Sequence, residues 1–203
     1  MNNSNSSQST NITLIGIGGT GGHIVGAIAE QGMKNVDYLI INYNEQPLKQ
    51  FSSLPTLLIG QKTLPRPFCR VTPSWSTQAV IDDSNLILEP LTEVDTTIII
   101  AGIAGDFAAG ATPAISRICK NASIYTNVII SRPLPFEGKQ RNKLALNAIH
   151  KIYNESDCLL QYPNDSFYTS LDGTTTVREC YAQIDEMLYS NIKGLINLLG
   201  KKS

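Results

Sequence analysis

Long apolar runs are absent from this chain. No window of about 18 consecutive apolar residues occurs in its 203 residues, so no segment has the length to cross a bilayer as a helix. The start, Met1 to Thr10, is an Asn/Ser/Gln tract without a basic n-region or an apolar h-region, which argues against a signal peptide and sets the expectation of a cytoplasmic protein. Excess charge of either sign is absent too. Lys plus Arg number 16 against 17 Asp plus Glu, for a net charge of -1, and no dense basic run occurs, so neither nucleic acid nor membrane insertion is expected. Histidine is nearly missing, with only His23 and His150, and Cys69, Cys119, Cys158 and Cys180 are scattered without C-x-x-C spacing. That excludes a zinc site and a disulfide framework and leaves buried thiols.

What is present fits one compact α/β domain: 42% of the residues are hydrophobic and only 16% charged, enough to build a core at this length. The first 11 residues offer nothing to bury and are expected to be a disordered tail, with residues 12–200 as the single folded unit. Strand-like runs fall at Ile12 to Ile17, Tyr38 to Asn42, Thr56 to Ile59, Thr96 to Ala101, Ile124 to Ile130 and Cys158 to Tyr162. Helical patterns separate them at about Gly21 to Gln31, Ser74 to Glu89, Ala108 to Lys120 and Lys139 to Asn154, and a long one closes the chain near Val177 to Leu199. Runs such as Ile98-Ile99-Ile100 suit strands covered on both faces, which a parallel sheet requires. The expected fold class is therefore α/β, a Rossmann-like doubly wound sheet, mainly parallel, with helices on both faces. Ligands of such sheets sit beyond the carboxyl ends of the strands, so the loops there carry the function.

The first of those loops is the glycine turn Gly16-Ile17-Gly18-Gly19-Thr20-Gly21-Gly22-His23, set between an apolar strand and a helical pattern. Glycines let the backbone approach a ligand, and the amides opening the next helix carry partial positive charge, so the turn suits a phosphate. The same G-x-G-G-x-G spacing opens dinucleotide-binding and adenylating domains, and glycines also serve to pack a helix tightly on a sheet. Later loops are more specific. After the fourth strand comes Ala104-Gly105-Asp106-Phe107-Ala108-Ala109-Gly110, after the fifth Arg132-Pro133-Leu134-Pro135-Phe136-Glu137-Gly138-Lys139-Gln140-Arg141, and after the sixth Pro163-Asn164-Asp165.

Together and in this order, from about Ile12 to Leu199, the loops resemble the GTP-binding face of the tubulin/FtsZ family. The R-P-x-x-F-E-G-x-x-R run and the strand followed by P-N-D carry most of the resemblance. It implies that Gly18, Gly19, Thr20, Gly21 and Gly22 form the first nucleotide loop, and that Gly105, Asp106, Phe107 and Gly110 form a second one. It further implies that Glu137 and Arg141 contact the ribose and phosphate side, that Asn164 helps hold the nucleoside, that Tyr181 stacks on guanine and that Asp185 reads its N1/N2 edge. The implied ligand is GTP or GDP, bound weakly, with no metal beyond a nucleotide-associated magnesium. The implied partner is a second copy or an FtsZ/tubulin-like filament. On spacing alone, Tyr181 and Asp185 could be an ordinary i,i+4 pair, and Glu137 and Arg141 a solvated helix ion pair.

Departures from the family pattern limit what the resemblance implies. Where the family has G-G-G-T-G-T-G, this chain has alanines, Phe107 and Asp106; a carboxylate there either repels a triphosphate or serves as the N-cap of the following helix. The region from Pro67 to Ser74, where a second amide cradle is expected, has no glycine. Only Gly200-Lys201-Lys202-Ser203 follow the last helix, without the acidic loop with which a family subunit completes its neighbour's GTPase site. A non-catalytic module, a pseudo-GTPase, is the resulting expectation. The last helix carries a stripe of Val177, Tyr181, Ile184, Leu188, Leu195 and Leu199, widened by Met187, Ile196 and Leu198, from which an apolar face needing a partner is expected. The alternative from another class is a Rossmann-type enzyme with a nucleotide cofactor. Against it, Asn42 and Asn44 stand where such a domain ends its second strand with an acidic residue for the ribose.

Overall fold

In the computed structural model, which describes residues 10–33, 36–63, 70–162 and 175–199, six strands form one wholly parallel sheet. The strands are β1 (Ile12–Ile17), β2 (Val36–Asn42), β3 (Thr56–Leu58), β4 (Thr96–Gly102), β5 (Tyr125–Ser131) and β6 (Cys158–Tyr162), in the spatial order β3-β2-β1-β4-β5-β6. β1 lies between β2 and β4 and is buried at every position. Strand order reverses at β1 and β4, so their carboxyl ends diverge into a crevice. The expected doubly wound α/β class is what the chain adopts.

Side chains alternate along β1 because successive residues of a strand face opposite ways. Ile15 and Ile17 join one core with helices α3 (Pro73–Asp82), α4 (Ser84–Leu88), α5 (Asp106–Asn121) and α6 (Lys139–Glu155). Ile12 and Leu14 join the other, with α1 (Gly18–Glu30), the short α2 (Glu45–Leu48) and the closing helix α7 (Val177–Leu199). Cys119 sits fully buried in the first core, where burial pushes its thiol up to about 12, and Cys180 is buried in the second. Cys69 and most of the expected tail lie outside the described residues. At the end of that tail the Asn11 backbone N–H donates to Asp95 (2.9 Å) and its side-chain amide donates to the Glu93 carbonyl (2.8 Å), tying it to the turn before β4.

Two helices differ from the pattern in the sequence. The helix expected over Ser74 to Glu89 breaks at Asp83, because that buried carboxylate accepts the Gly60 backbone N–H (2.7 Å) and draws its own backbone out of helical geometry. α1 begins at Gly18 rather than Gly21, so the glycine turn is itself the first turn of a helix.

Part of the expected bare stripe on α7 is buried in the chain's own core. Cys180, Ile184, Leu188, Ile192 and Ile196, each four residues apart, are all at most 4% exposed and pack into the second core beside Ile24 and Ile28. Leu195 is half-buried against the same core, and Val177 is exposed. A dimer built on Ile184 and Leu188 is therefore not available to the folded chain. The side chains of Tyr181, Leu198 and Leu199 lie outside the described residues. Leu188→Ala is expected to lower stability by about 2–5 kcal/mol in urea denaturation without changing the oligomeric state, since it empties a core position rather than an interface.

Candidate functional site

The crevice at the carboxyl edge opens into a cleft of about 970 Å³, near the upper end of the size range of small-molecule sites. Two long helices begin at its floor. α1 starts directly after β1 and α5 shortly after β4, and neither has a side-chain cap: the residues before them, Ile17 and Gly105, offer none. Their first backbone amides therefore retain free donors, and the two helix dipoles add positive potential at adjacent points of one cleft. That arrangement fits the phosphates of a nucleotide. Gly18, with φ +70°, makes the sharp entry into α1 that other residues disfavour. At Gly19 and Gly105 a Cβ would meet nothing within 4 Å, so the cleft floor there is bare backbone.

Of the residues the resemblance implies, Gly18, Gly19 and Thr20 line the cleft from α1, and Gly105, Asp106 and Phe107 from α5. Glu137, Arg141 and Asp185 line its walls. Gly21, Gly22 and Gly110 do not. A Cβ on Gly21 would stand 2.2 Å from the Ile100 carbonyl oxygen, and one on Gly110 would stand 2.1 Å from the Pro73 carbonyl oxygen. A Cβ on Gly22 would press on Ile40 and Phe51, each at 3.2 Å. These glycines allow α1 to lie on the sheet and α3 to cross α5 at close range, the packing role that spacing alone left open. Asn164 lies outside the described residues.

Asp106 is not an N-cap. Gly105 holds that position and Asp106 is the first helical residue, where its carboxylate lies 3.6 Å from the Arg70 guanidinium. Phe107 is only 6% exposed; its ring centroid lies 5.0 Å from that of Tyr43, which in turn is 5.9 Å from Trp75. Phe107 thus packs the start of α5 against Tyr43, just beyond β2, which in turn meets Trp75 of α3. Glu137 and Arg141 are not a solvated pair on one helix. Glu137 ends a 3₁₀ turn (Pro135–Glu137), Gly138 at φ +96° turns the chain, and Arg141 belongs to α6. The Glu137 side chain is 7% exposed and accepts both the Leu134 N–H (2.8 Å) and an Arg141 N–H (2.6 Å). The carboxylate fixes the loop while the more exposed guanidinium stands over the cleft.

Asp185, on α7, lines the same cleft. Burial pushes its carboxyl above the ordinary carboxylate value, and the neighbouring His23 pulls it partly back. His23 also lines the cleft and meets Phe51 edge-on, with centroids 5.8 Å apart. The sequence did carry a signal for it: His23 lies three residues after Thr20 and four after Gly19, on the same side of a helix. Arg70 carried none, because it reaches the cleft from an irregular segment ahead of α3. Asn42, at the end of β2, is 4% exposed, and its side-chain oxygen accepts the N–H groups of Tyr43 (2.8 Å) and Asn44 (3.3 Å). It closes its own turn and has no acceptor left for a ribose, which removes support from the dinucleotide-enzyme alternative.

A doubly wound parallel sheet with two helix N-termini at its topological switch point defines a Rossmann-like domain. More narrowly, residues 11–172 match the model of the Tubulin/FtsZ family, GTPase domain, and the chain belongs to that family. It is 28% identical over 195 residues to the cell division protein FtsZ of Pseudomonas aeruginosa, covering 96% of this chain and 50% of that protein. FtsZ of Helicobacter pylori strain 26695 is 27% identical over 191 residues, covering 94% of this chain and 50% of the relative. The chain thus spans about half the length of the curated relatives it matches. Among solved structures, a mutant FtsZ of M. jannaschii superposes with a TM-score of 0.88 at 24% identity over 96% of this chain and 58% of that one. CetZ2 of Haloferax volcanii, solved as a GTPγS-bound protofilament, superposes with a TM-score of 0.78 at 22% identity over 94% of this chain and 58% of that one.

Proposed function

We propose that this domain binds a guanine nucleotide across the cleft and does not by itself catalyse its hydrolysis. The observation that carries the binding is the pair of uncapped helix N-termini, α1 and α5, meeting at one cleft that Asp185 also lines. Phosphates take the helix amides, Glu137 and Arg141 bracket the ribose side, and Asp185 accepts from the N1/N2 edge of guanine. The absence of intrinsic turnover rests on the carboxylates. Hydrolysis needs a base that can orient a water at the terminal phosphate. Among the described residues lining the cleft, Glu137 is spent on Leu134 and Arg141, Asp106 is paired with Arg70, and Asp185 is assigned here to the guanine edge.

A second copy or a filament subunit of the same superfamily is the proposed partner, supported by relatives solved as an FtsZ dimer from M. jannaschii and as the CetZ2 protofilament. Titration with fluorescent GDP, GTP and ATP tests the binding. Guanine nucleotides are expected to bind at least tenfold more tightly than ATP, with the diphosphate held at least as well as the triphosphate. Tight ATP binding with no response to guanine nucleotides overturns the reading. Phosphate release is expected at background levels at every protein concentration, and a steep rise with concentration overturns the non-catalytic part alone.

A further inference from the structure

At the phosphate end of the cleft one cation and one anion face each other. Arg70 Nη2 lies 3.6 Å from Asp106 Oδ2, and both residues line the cleft. The guanidinium is 86% exposed and the carboxylate 34%. A pair this exposed adds little stability, so both charges stay available to act on a ligand at the cleft. With no carboxylate opposite, the planar fork of the guanidinium can donate to two phosphate oxygens.

The base of the Arg70 arm is fixed beside the start of α5. Two residues on, the Thr72 hydroxyl accepts the Trp75 N–H (3.2 Å) and caps α3, and the Thr72 carbonyl accepts the hydroxyl of Ser76 (2.9 Å). α3 in turn is clamped onto α5: the Thr77 hydroxyl donates to the Gly110 carbonyl (3.1 Å), and the Pro73 carbonyl lies where any Cβ on Gly110 would go. The guanidinium therefore stays within reach of the first turn of α5, where the carboxylate of Asp106 would face a phosphate.

We propose that the Arg70–Asp106 pair sets the phosphate-number preference of the cleft, a reading that rests on the cleft taking a guanine nucleotide. With both members present their charges cancel at the terminal phosphate, and diphosphate and triphosphate bind about equally. Without Arg70 the carboxylate repels the added charge of the triphosphate. Without the Asp106 charge the guanidinium is released to the terminal phosphate. The two residues act on specificity in opposite directions, which a merely structural role for either does not produce.

Calorimetric titration with GDP and GTPγS at fixed magnesium, on the full chain and on R70A, R70Q, D106N and R70A/D106N, tests this. The ratio of GDP to GTPγS dissociation constants is expected near one in the wild type. It should fall by about fivefold or more in R70A and R70Q, rise by a similar factor in D106N, and return near one in the double variant. Thermal melts confirm that each variant is folded. Ratios that stay unchanged, or that move the same way in R70A and D106N, overturn the charge pairing while leaving guanine-nucleotide binding intact. No binding of either nucleotide to the wild type overturns the proposed function itself, and this inference with it.

Discussion

Gly21→Ala is expected to lower the unfolding free energy by at least about 3 kcal/mol, while Gly19→Ala, two residues away in the same glycine turn, leaves it within about 0.5 kcal/mol. The contrast follows from what each methyl would meet. At Gly21 it would stand 2.2 Å from the Ile100 carbonyl oxygen, in the middle of β4, and neither backbone can retreat without opening the sheet. At Gly19 it would meet nothing within 4 Å and would add helix propensity. Urea denaturation reads the difference. Nucleotide titration should then give the reverse for the folded variant: Gly19→Ala puts a methyl into the cleft floor and weakens binding. A stable Gly21→Ala protein would show that α1 does not rest on β4 as described.

Asp185→Asn is expected to trade ligand affinity for stability. If the carboxylate accepts from the guanine edge, its loss should weaken guanine nucleotides by about tenfold or more and bring their affinity down toward that of ATP. The stability effect has the opposite sign. Burial holds the folded-state pKa of Asp185 above its unfolded value. The folded protein therefore binds that proton more tightly than the unfolded chain does. The resulting stabilisation is fully present below the unfolded pKa and is lost as pH rises through the folded one. An asparagine does not titrate there. The variant should thus match the wild type most closely in acid and gain on it as pH rises through the folded value, with the larger advantage at neutral pH. Urea denaturation at a series of pH values measures this, and a variant less stable than the wild type at neutral pH would sink the assignment of Asp185 as a strained cleft-wall carboxylate.

The strands were legible because their apolar runs are continuous, and all six sit within two residues of where periodicity placed them. The break at Asp83 was not legible, since a buried carboxylate satisfying the distant Gly60 amide leaves no local mark. The candidate site divides in the same way. Glycines at 18, 19 and 105 announce themselves by motif, and Glu137, Arg141 and Asp185 through the resemblance. Nothing in spacing separates Gly21, Gly22 and Gly110 from them, although a Cβ on any of these three would meet protein atoms at 3.2 Å or less.

The sequence by itself determined the fold class and the edge of the sheet where the cleft opens, because hydrophobic period and glycine-turn chemistry are local properties of the chain, and its loop motifs carried the resemblance to the family. Tertiary structure alone decided that α7 buries Ile184 and Leu188 in the chain's own core, that Asp106 answers Arg70 rather than a helix amide, and that Asp185 feels the charge of His23 in one cleft. Each of these depends on which surfaces come together across dozens of residues of intervening chain, and burial and Coulomb interaction are fixed by distance in space rather than along the backbone.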